Sequence, residues 1–411
     1  MAISITKALN IIYKEVGKLS SEVIPIEDSL GRIVSREYSS TFDLPRFDNS
    51  AMDGYAVKMA DSGRVVSSSR VIYAGDDSNF RLQEGEAIRI MTGSAVPDGT
   101  EAIVPIENVE VDGDRVSLPK DIKLNAHIRY AGEDMKSSTR YIKSGDMVSA
   151  YTTALFASQG VTHIDVTRAV RVAVFGTGDE LRPHYEKIEP HQLYNSNAPM
   201  FLARAEELNC EVTYIDGSAD TIESLKLSIQ EALSADLIIT SGGVSVGDKD
   251  FTKEAFQELG METFFSGVDI KPGKPTTIGR IKNSIVVNLA GNPLASMVNY
   301  EMFIKPIILR LSGNSSYYHG LIRTKISKDY RIKTGRYSVI LGSFNGESFT
   351  PLDNQSAGMV SPLVEADGMI IVTPDISYLN SGDEVKMIPI KFGFNSDIEQ
   401  DIFTPNAEKD R

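Results

Sequence analysis

One cysteine, Cys210, stands in the 411 residues. A single thiol forms neither an intrachain disulfide nor a thiolate metal cluster, and such usage fits a reducing compartment. Long apolar runs are missing too: none approaches the roughly 18 residues that a membrane-spanning helix needs. The N-terminal segment spaces Ile5, Leu9, Ile12 and Val16 at helical intervals among Lys7, Lys14 and Glu15. It reads as an amphipathic packing helix, not as a secretory signal. Positive charge is in deficit, with 42 Lys plus Arg against 56 Asp plus Glu and a formal charge of −14. That field repels nucleic acid and anionic lipid, so neither is an expected partner; with the N-terminus read as a packing helix, a cytoplasmic location is expected. Histidine is also scarce. His127, His163, His184, His191 and His319 show neither zinc-ligand spacing nor a paired nucleophile.

What is present falls into stretches of different texture. Residues 1–168 combine a helix with short apolar runs broken by turn signals such as Val96-Pro97-Asp98-Gly99 and Asp112-Gly113-Asp114. They read as a β-rich N-terminal region with a small β domain at about 50–128, whose flanks meet beneath it. From 169 to 313, apolar strand runs alternate with helical patterns. Strands are expected at 170–175, 211–215, 237–240, 262–265, 276–280 and 284–289, and helices at 198–209, 221–233, 251–259 and 294–311. This alternation implies a mostly parallel α/β sheet with both faces covered, and ligands outside the carboxyl ends of its strands. The loops after Phe175, Thr240 and Leu289 should therefore share one rim. Residues 320–392 return to short strands with Gly and Asn turns, which read as a compact barrel or sandwich; a small C-terminal β-barrel domain is expected. The polar tail 393–411 should be frayed.

The negative field has a consequence for function: an anionic ligand needs a local positive site. Lys271-Pro272-Gly273-Lys274-Pro275 supplies one, with two lysines restrained by flanking prolines; a solvated basic turn is the structural alternative. Ser241-Gly242-Gly243-Val244-Ser245-Val246-Gly247-Asp248 places three glycines and two serines between a buried strand and a helix. Such a loop offers backbone N–H groups and hydroxyls to an oxyanion, while Asp248 or Asp250 can serve as an ordinary helix cap. Gly291-Asn292-Pro293 opens another helix, whose N-terminus favours an anion. Gly176-Thr177-Gly178 precedes Asp179 and Glu180, but Leu181 stands where a dinucleotide fingerprint needs a third glycine, and no P-loop ending follows. Carboxylates beside a phosphate call for a hard cation such as Mg²⁺. In the N-terminal half, residues 47–57 (FDNSAMDGYAV) crowd two carboxylates, an amide and a hydroxyl together, partly explained by turn-making. Thr92-Gly93-Ser94 and Gly132-Glu133-Asp134 are weaker polar turns.

FDNSAMDGYAV, TGDEL (177–181), SGGVSVGD (241–248), KPGKP (271–275) and GNP (291–293) occur in this order. Together they resemble the molybdopterin molybdenumtransferase family, MoeA-type proteins related to the E domain of gephyrin, over roughly residues 1–390. One position departs: Ala290 stands where the family usually has proline. The resemblance implies a four-part chain and an elongated homodimer, its cleft lying between the α/β domain of one subunit and the small β domain of the other. It also implies a reaction that takes adenylylated molybdopterin and molybdate to molybdenum cofactor and AMP, assisted by Mg²⁺. By motif position, Asp53, Asp134, Glu180 and Asp250 are expected as catalytic carboxylates, and Glu180, Asp220 and Asp250 as metal ligands. Substrate binding is expected at Thr92, Ser241, Gly242, Gly243, Ser245, Lys271, Lys274, Asn292 and Pro293. A rim carboxylate, Asp53 or Asp250, is expected to assist proton transfer. Partners are the pterin substrate, a second copy of the chain and other proteins of cofactor biosynthesis. Two alternatives are an adenylyltransferase of the preceding step, similar to residues 169–313, and a gephyrin-like scaffold without catalysis.

Overall fold

Buried aliphatic runs set the centre of the molecule. In the computed structural model, which describes residues 2–76, 80–178, 180–216, 221–242, 251–391 and 393, the strands Arg171–Gly176, Leu237–Ser241 and Ser284–Leu289 are buried along almost their whole length. Strands of that kind are covered on both faces. They form the middle of a six-stranded sheet in the order Glu211–Tyr214, Arg171–Gly176, Leu237–Ser241, Ser284–Leu289, Thr276–Ile281, Glu262–Ser266. On one face, Ile5, Ala8 and Ile12 of the N-terminal helix Ile5–Glu15 pack with Phe201 and Ala205 of the helix Asn197–Glu206 and with Val298, Phe303 and Ile307. On the other face lie Leu225 and Ile229 of Ile222–Ala232 and Phe256 of Phe251–Glu258. The amphipathic N-terminal helix thus docks on the α/β core, far along the chain from its own neighbours.

The sheet is mostly parallel, as expected, with one strand, Thr276–Ile281, reversed near its edge. Its first four strands run parallel, whereas Thr276–Ile281 and Glu262–Ser266 pair antiparallel. The reason is local: Ile281 faces Ser284 across a turn that holds Lys282 at φ 53°, and only antiparallel neighbours can be joined so tightly. This reversal matters for the site. Gly176 pairs with Ser241, Ser241 with Leu289, and Leu289 with Thr276. The start of an antiparallel strand lies beside the ends of parallel ones, so residues 271–275 stand on the same rim as the three glycine-containing loops.

In the N-terminal region Ser21–Pro25 pairs with His163–Thr167, and Tyr38–Ser39 with Arg140–Ile142, bringing the two flanks together. Between them lie a four-stranded sheet (Val71–Ile72, Ile88–Ile90, Gly54–Val57, Ala102–Pro105) and a three-stranded one (Val65–Ser67, Arg115–Ser117, Glu110–Asp112). The C-terminal strands Tyr337–Phe344, Ser348–Pro351, Ile322–Ile326, Glu384–Pro389 and Gly368–Val372 close on themselves, because the first also pairs with the last. Ile326, Ile340, Phe349, Ile370 and Met387 fill this barrel. A short strand from the α/β domain, Ile270–Lys271, joins it alongside Tyr337 and Ser338. Residues 270–276 therefore begin as a strand of the barrel and end as a strand of the central sheet.

The helical stretch that follows the sheet runs Pro293–Asn299, then one π-helical segment Tyr300–Ile304, then Lys305–Leu311. In that π segment Glu301 is almost fully buried and accepts from Arg204 Nε at 3.0 Å and Nη2 at 2.5 Å, with Lys305 Nζ 3.5 Å from its other oxygen. Arg204 also reaches the Ile390 carbonyl at the end of the barrel, at 3.4 Å. No helix among the described residues is long and apolar enough to cross a membrane.

Candidate active site

The rim of the central sheet is stitched together by its own loops. Thr177 N–H donates to the Ser241 carbonyl at 3.0 Å and Gly242 N–H to the Leu289 carbonyl at 3.1 Å. The Ser241 hydroxyl receives Asn197 Nδ2 at 2.6 Å and donates to the Ala290 carbonyl at 3.4 Å, while Asn197 Nδ2 also reaches the Gly291 carbonyl at 2.8 Å. Above this network opens a cleft of about 670 Å³ whose lining includes Thr177, Glu180, Asn197, Gly242, Asn292 and Pro293. Ser241 belongs to that lining too, yet it is only 3% exposed. Its hydroxyl, expected to hold an oxyanion, is instead engaged in fixing the wall. Gly242 sits at φ +106°, and a Cβ there would lie 2.2 Å from the Thr177 carbonyl oxygen. Gly242→Ala is therefore expected to cost about 1–3 kcal/mol through overpacking against backbone that cannot yield, read as a lowered urea midpoint.

A second compartment of about 560 Å³ adjoins the first, with Pro275, Ala290 and Asn292 lining both. Its lining carries Lys271, Lys274, Arg331, Lys333 and Arg336, and no Asp or Glu among the described residues. Five cations without a carboxylate, in a chain of charge −14, are the local positive site that the composition demanded. The two lysines and the 241–242 turn thus share a dividing wall rather than a single cavity. The turn between the lysines is fixed: Gly273 adopts φ +111°, and its carbonyl accepts from Asn299 Nδ2 at 3.0 Å and Thr276 Oγ1 at 2.9 Å. Arg331, Lys333 and Arg336 escaped the sequence reading. The signal was the basic run RIKTGR at 331–336, which looks like a solvated turn until the barrel is folded against the sheet.

The helix that begins at Pro293 does not offer its first N–H groups to an anion. Leu294 N and Ala295 N both donate to the Ala357 carbonyl of the barrel, at 3.0 and 3.3 Å. The donors expected for a ligand already hold the two domains together. Asn292, at the N-cap, makes no side-chain cap bond and stands on the wall common to both compartments.

The N-terminal candidates lie elsewhere in the chain. Most of residues 47–57 serves the turn: Asn49 Nδ2 donates to the Phe47 carbonyl, Ser50 Oγ to the Met52 carbonyl, and Asp48 accepts from Ala131 N. Asp53 and Thr92 come together as a pair, with Thr92 N and Oγ1 each 2.7 Å from Asp53 Oδ1. Asp134 is exposed on a separate turn. None of the three lines either compartment, so Asp53 is not a rim carboxylate of its own chain's sheet. The Thr92 hydroxyl and amide hold the exposed Asp53 carboxyl below its usual range, with a smaller pull from Arg89. A depressed carboxyl keeps its bonds above its ordinary pKa and loses them as pH falls through the lowered value. Thr92→Val removes the hydroxyl and should move the Asp53 midpoint upward by carbon-13 NMR; an unchanged midpoint would contradict the pairing.

Asp220, Gly243, Ser245 and Asp250 lie outside the described residues. Of the three carboxylates expected to ligate metal, only Glu180 is therefore placed, exposed at the cleft. Among the described residues no group of three or more His, Cys, Asp or Glu could hold a metal ion.

Three family models match the chain: the MoeA N-terminal region (domain I and II) at residues 3–160, a probable molybdopterin binding domain at 173–310 and the MoeA C-terminal region (domain IV) at 325–390. Proteins named molybdopterin molybdenumtransferase from Staphylococcus epidermidis and Staphylococcus aureus are each 29% identical, covering 94% of this chain and 95% of their own length. A crystal structure of a molybdopterin biosynthesis MoeA protein from Pyrococcus horikoshii superposes with a TM-score of 0.83 at 28% identity, over 96% of this chain and 100% of the other.

Proposed function

Because this chain belongs to the MoeA family of molybdopterin molybdenumtransferases, enzymes of molybdenum cofactor biosynthesis, we propose that it transfers molybdenum from molybdate into adenylylated molybdopterin and releases AMP. The observation that carries this reading is the pair of adjoining compartments. A fused-ring ligand bearing a pyrophosphate needs a polar cleft for its ring and a cationic one for its anions, with the reacting atoms between them. The glycine-lined cleft and the five-cation compartment supply both, and Pro275, Ala290 and Asn292 form the shared wall.

Lys271 and Lys274 act as point charges with three N–H donors each, opposing the repulsion between molybdate and the phosphates. Their turn is held by Asn299 and Thr276, so little reorganisation is needed when the anions arrive. Glu180 is the described carboxylate that would hold Mg²⁺, which when bound would screen the phosphate anhydride. A carboxyl held ionised, as Asp53 is, makes a poor proton donor near neutral pH. For Asp53 and Thr92 to reach a cleft, a second copy of the chain must bring them, which is the homodimer that the family resemblance implies. The cytoplasm, with molybdopterin supplied by other biosynthetic proteins, is the setting we assign.

The rival activity, adenylylation of molybdopterin, is separated by substrate. With ATP and unadenylylated molybdopterin the purified chain should release no product, and turnover of that pair would displace molybdenum transfer as its reaction.

A further inference from the structure

We propose that Asn197 reads the hydrogen-bond-donor edge of the substrate's fused ring and so sets which ring the cleft accepts. The inference rests on the molybdenumtransferase reading for its ligand, and on this chain's own geometry for the residue.

Asn197 begins the helix Asn197–Glu206, lines the glycine-rich cleft and is 5% exposed. Its amide orientation is settled by chemistry. The Gly291 carbonyl can only accept, so the nitrogen must face it, and the same nitrogen reaches the Ser241 hydroxyl. The oxygen is left on the other side of the amide, shielded from water and without a partner among the described residues. Thr177, 2% exposed and on the same lining, has an equally unpartnered Oγ1. A buried acceptor without a donor is costly, and native structures rarely keep one unless a ligand or a mechanism uses it.

What fills the position must donate. Molybdate and an ionised phosphate diester carry no hydrogen, so they cannot satisfy Asn197 Oδ1, and the five-cation compartment next door already suits them. A 2-amino-4-oxo pteridine carries an exocyclic amine and a ring N–H beside a carbonyl. The exocyclic amine meets Asn197 Oδ1, and the Thr177 hydroxyl, which can donate as well as accept, meets the ring carbonyl. The ring therefore seats on the Thr177–Asn197 side of the cleft, and the chain's anionic end points across Pro275, Ala290 and Asn292 towards the lysines. Because Asn197 also clamps Ser241 and Gly291, ring entry bears directly on the wall that carries the loops.

The test compares pterin with lumazine, which has a carbonyl oxygen where pterin has the amine, binding to the full chain by calorimetry. The unaltered protein should favour pterin on the order of tenfold, the discrimination of a site that leaves an unpaired acceptor facing the wrong ring. In Asn197→Ala that ratio should fall towards one. Asn197→Asp keeps an acceptor oxygen but loses the N–H donors to Ser241 and Gly291, so it should retain the preference at weaker absolute affinity. Binding of molybdate alone should be unchanged in both variants. A preserved ratio in Asn197→Ala, a parallel loss of molybdate binding, or no pterin binding by the unaltered protein would each overturn the proposal. Turnover of adenylylated molybdopterin by the unaltered protein is measured beside these. If it proceeds while the ratio ignores Asn197, only this inference fails; if it is absent, the functional reading fails as well.

Discussion

Replacing Lys271 and Lys274 together by alanine is expected to lower molybdate-dependent AMP release on the order of 10³-fold while leaving the unfolding midpoint close to that of the unaltered chain. A hydrogen bond to a charged group contributes about 1.5–3 kcal/mol, so each lysine is expected to account for roughly 10–100-fold in rate. Both side chains are exposed, so truncation opens no cavity, and their backbone is held by Asn299 and Thr276 through Gly273 rather than by the ammonium groups. The loss should therefore appear in turnover and not in stability. Lys328, paired with Asp353 on the barrel surface, is the control: Lys328→Ala should leave AMP release unchanged. Arg336→Ala extends the test to the cations that only the folded barrel reveals, with an expected loss of about tenfold. Release in the double lysine variant within threefold of the unaltered protein would remove the basic compartment from the mechanism.

The second large effect is on stability. Arg204→Met should destabilise the α/β domain by about 3–5 kcal/mol, the usual result of removing one partner of a buried ion pair. Glu301 is 1% exposed and takes two hydrogen bonds from Arg204. Lys305 stands 3.5 Å from its second oxygen and cannot replace the guanidinium geometry. Around them, His319 Nε2 donates to the Glu301 carbonyl at 2.9 Å, and burial holds the His319 pKa below its usual value, so the neutral ring is the form that fits. The cost comes mainly from stranding the carboxylate rather than from losing an attraction. Arg204→Met combined with Glu301→Leu should thus recover much of the loss in urea unfolding. A double variant no better than the single one would show that the ion pair contributes more than it costs to bury.

These two predictions draw on different layers of the sequence. The lysines were legible because charge decided the matter: an acidic chain with KPGKP between strands has few other places to hold an anion. The strands of the central sheet and of the barrel were legible from apolar runs. Ile322–Ile326, Ser348–Pro351 and Gly368–Val372 fall where turn residues bound them. The antiparallel edge of the sheet was not read, because direction follows from which strands the two-residue turn at 282–283 joins, and apolar content carries no direction. Asn197 and the 331–336 cations were missed for a related reason. Asn197 carries no local mark and RIKTGR looks like a solvated turn; their meaning comes from partners 44 residues away, as for Asn197 and Ser241, or from the barrel closing against the rim. Ser241 and the first turn after Pro293 were read as free donors. In the fold those groups are already bonded, to Ala290 and to Ala357. Sequence names the donors; only packing says which remain for a ligand.

In the proposed reaction, molybdenum transfer by this chain depends on two compartments working on one substrate. Purified protein mixed with adenylylated molybdopterin and Mg²⁺ should release AMP stoichiometrically with cofactor formed, and only after molybdate is added. AMP that appears at the same rate without molybdate, or no AMP with it, would contradict a chain that couples oxyanion binding beside Lys271 and Lys274 to cleavage of the nucleotide across the shared wall.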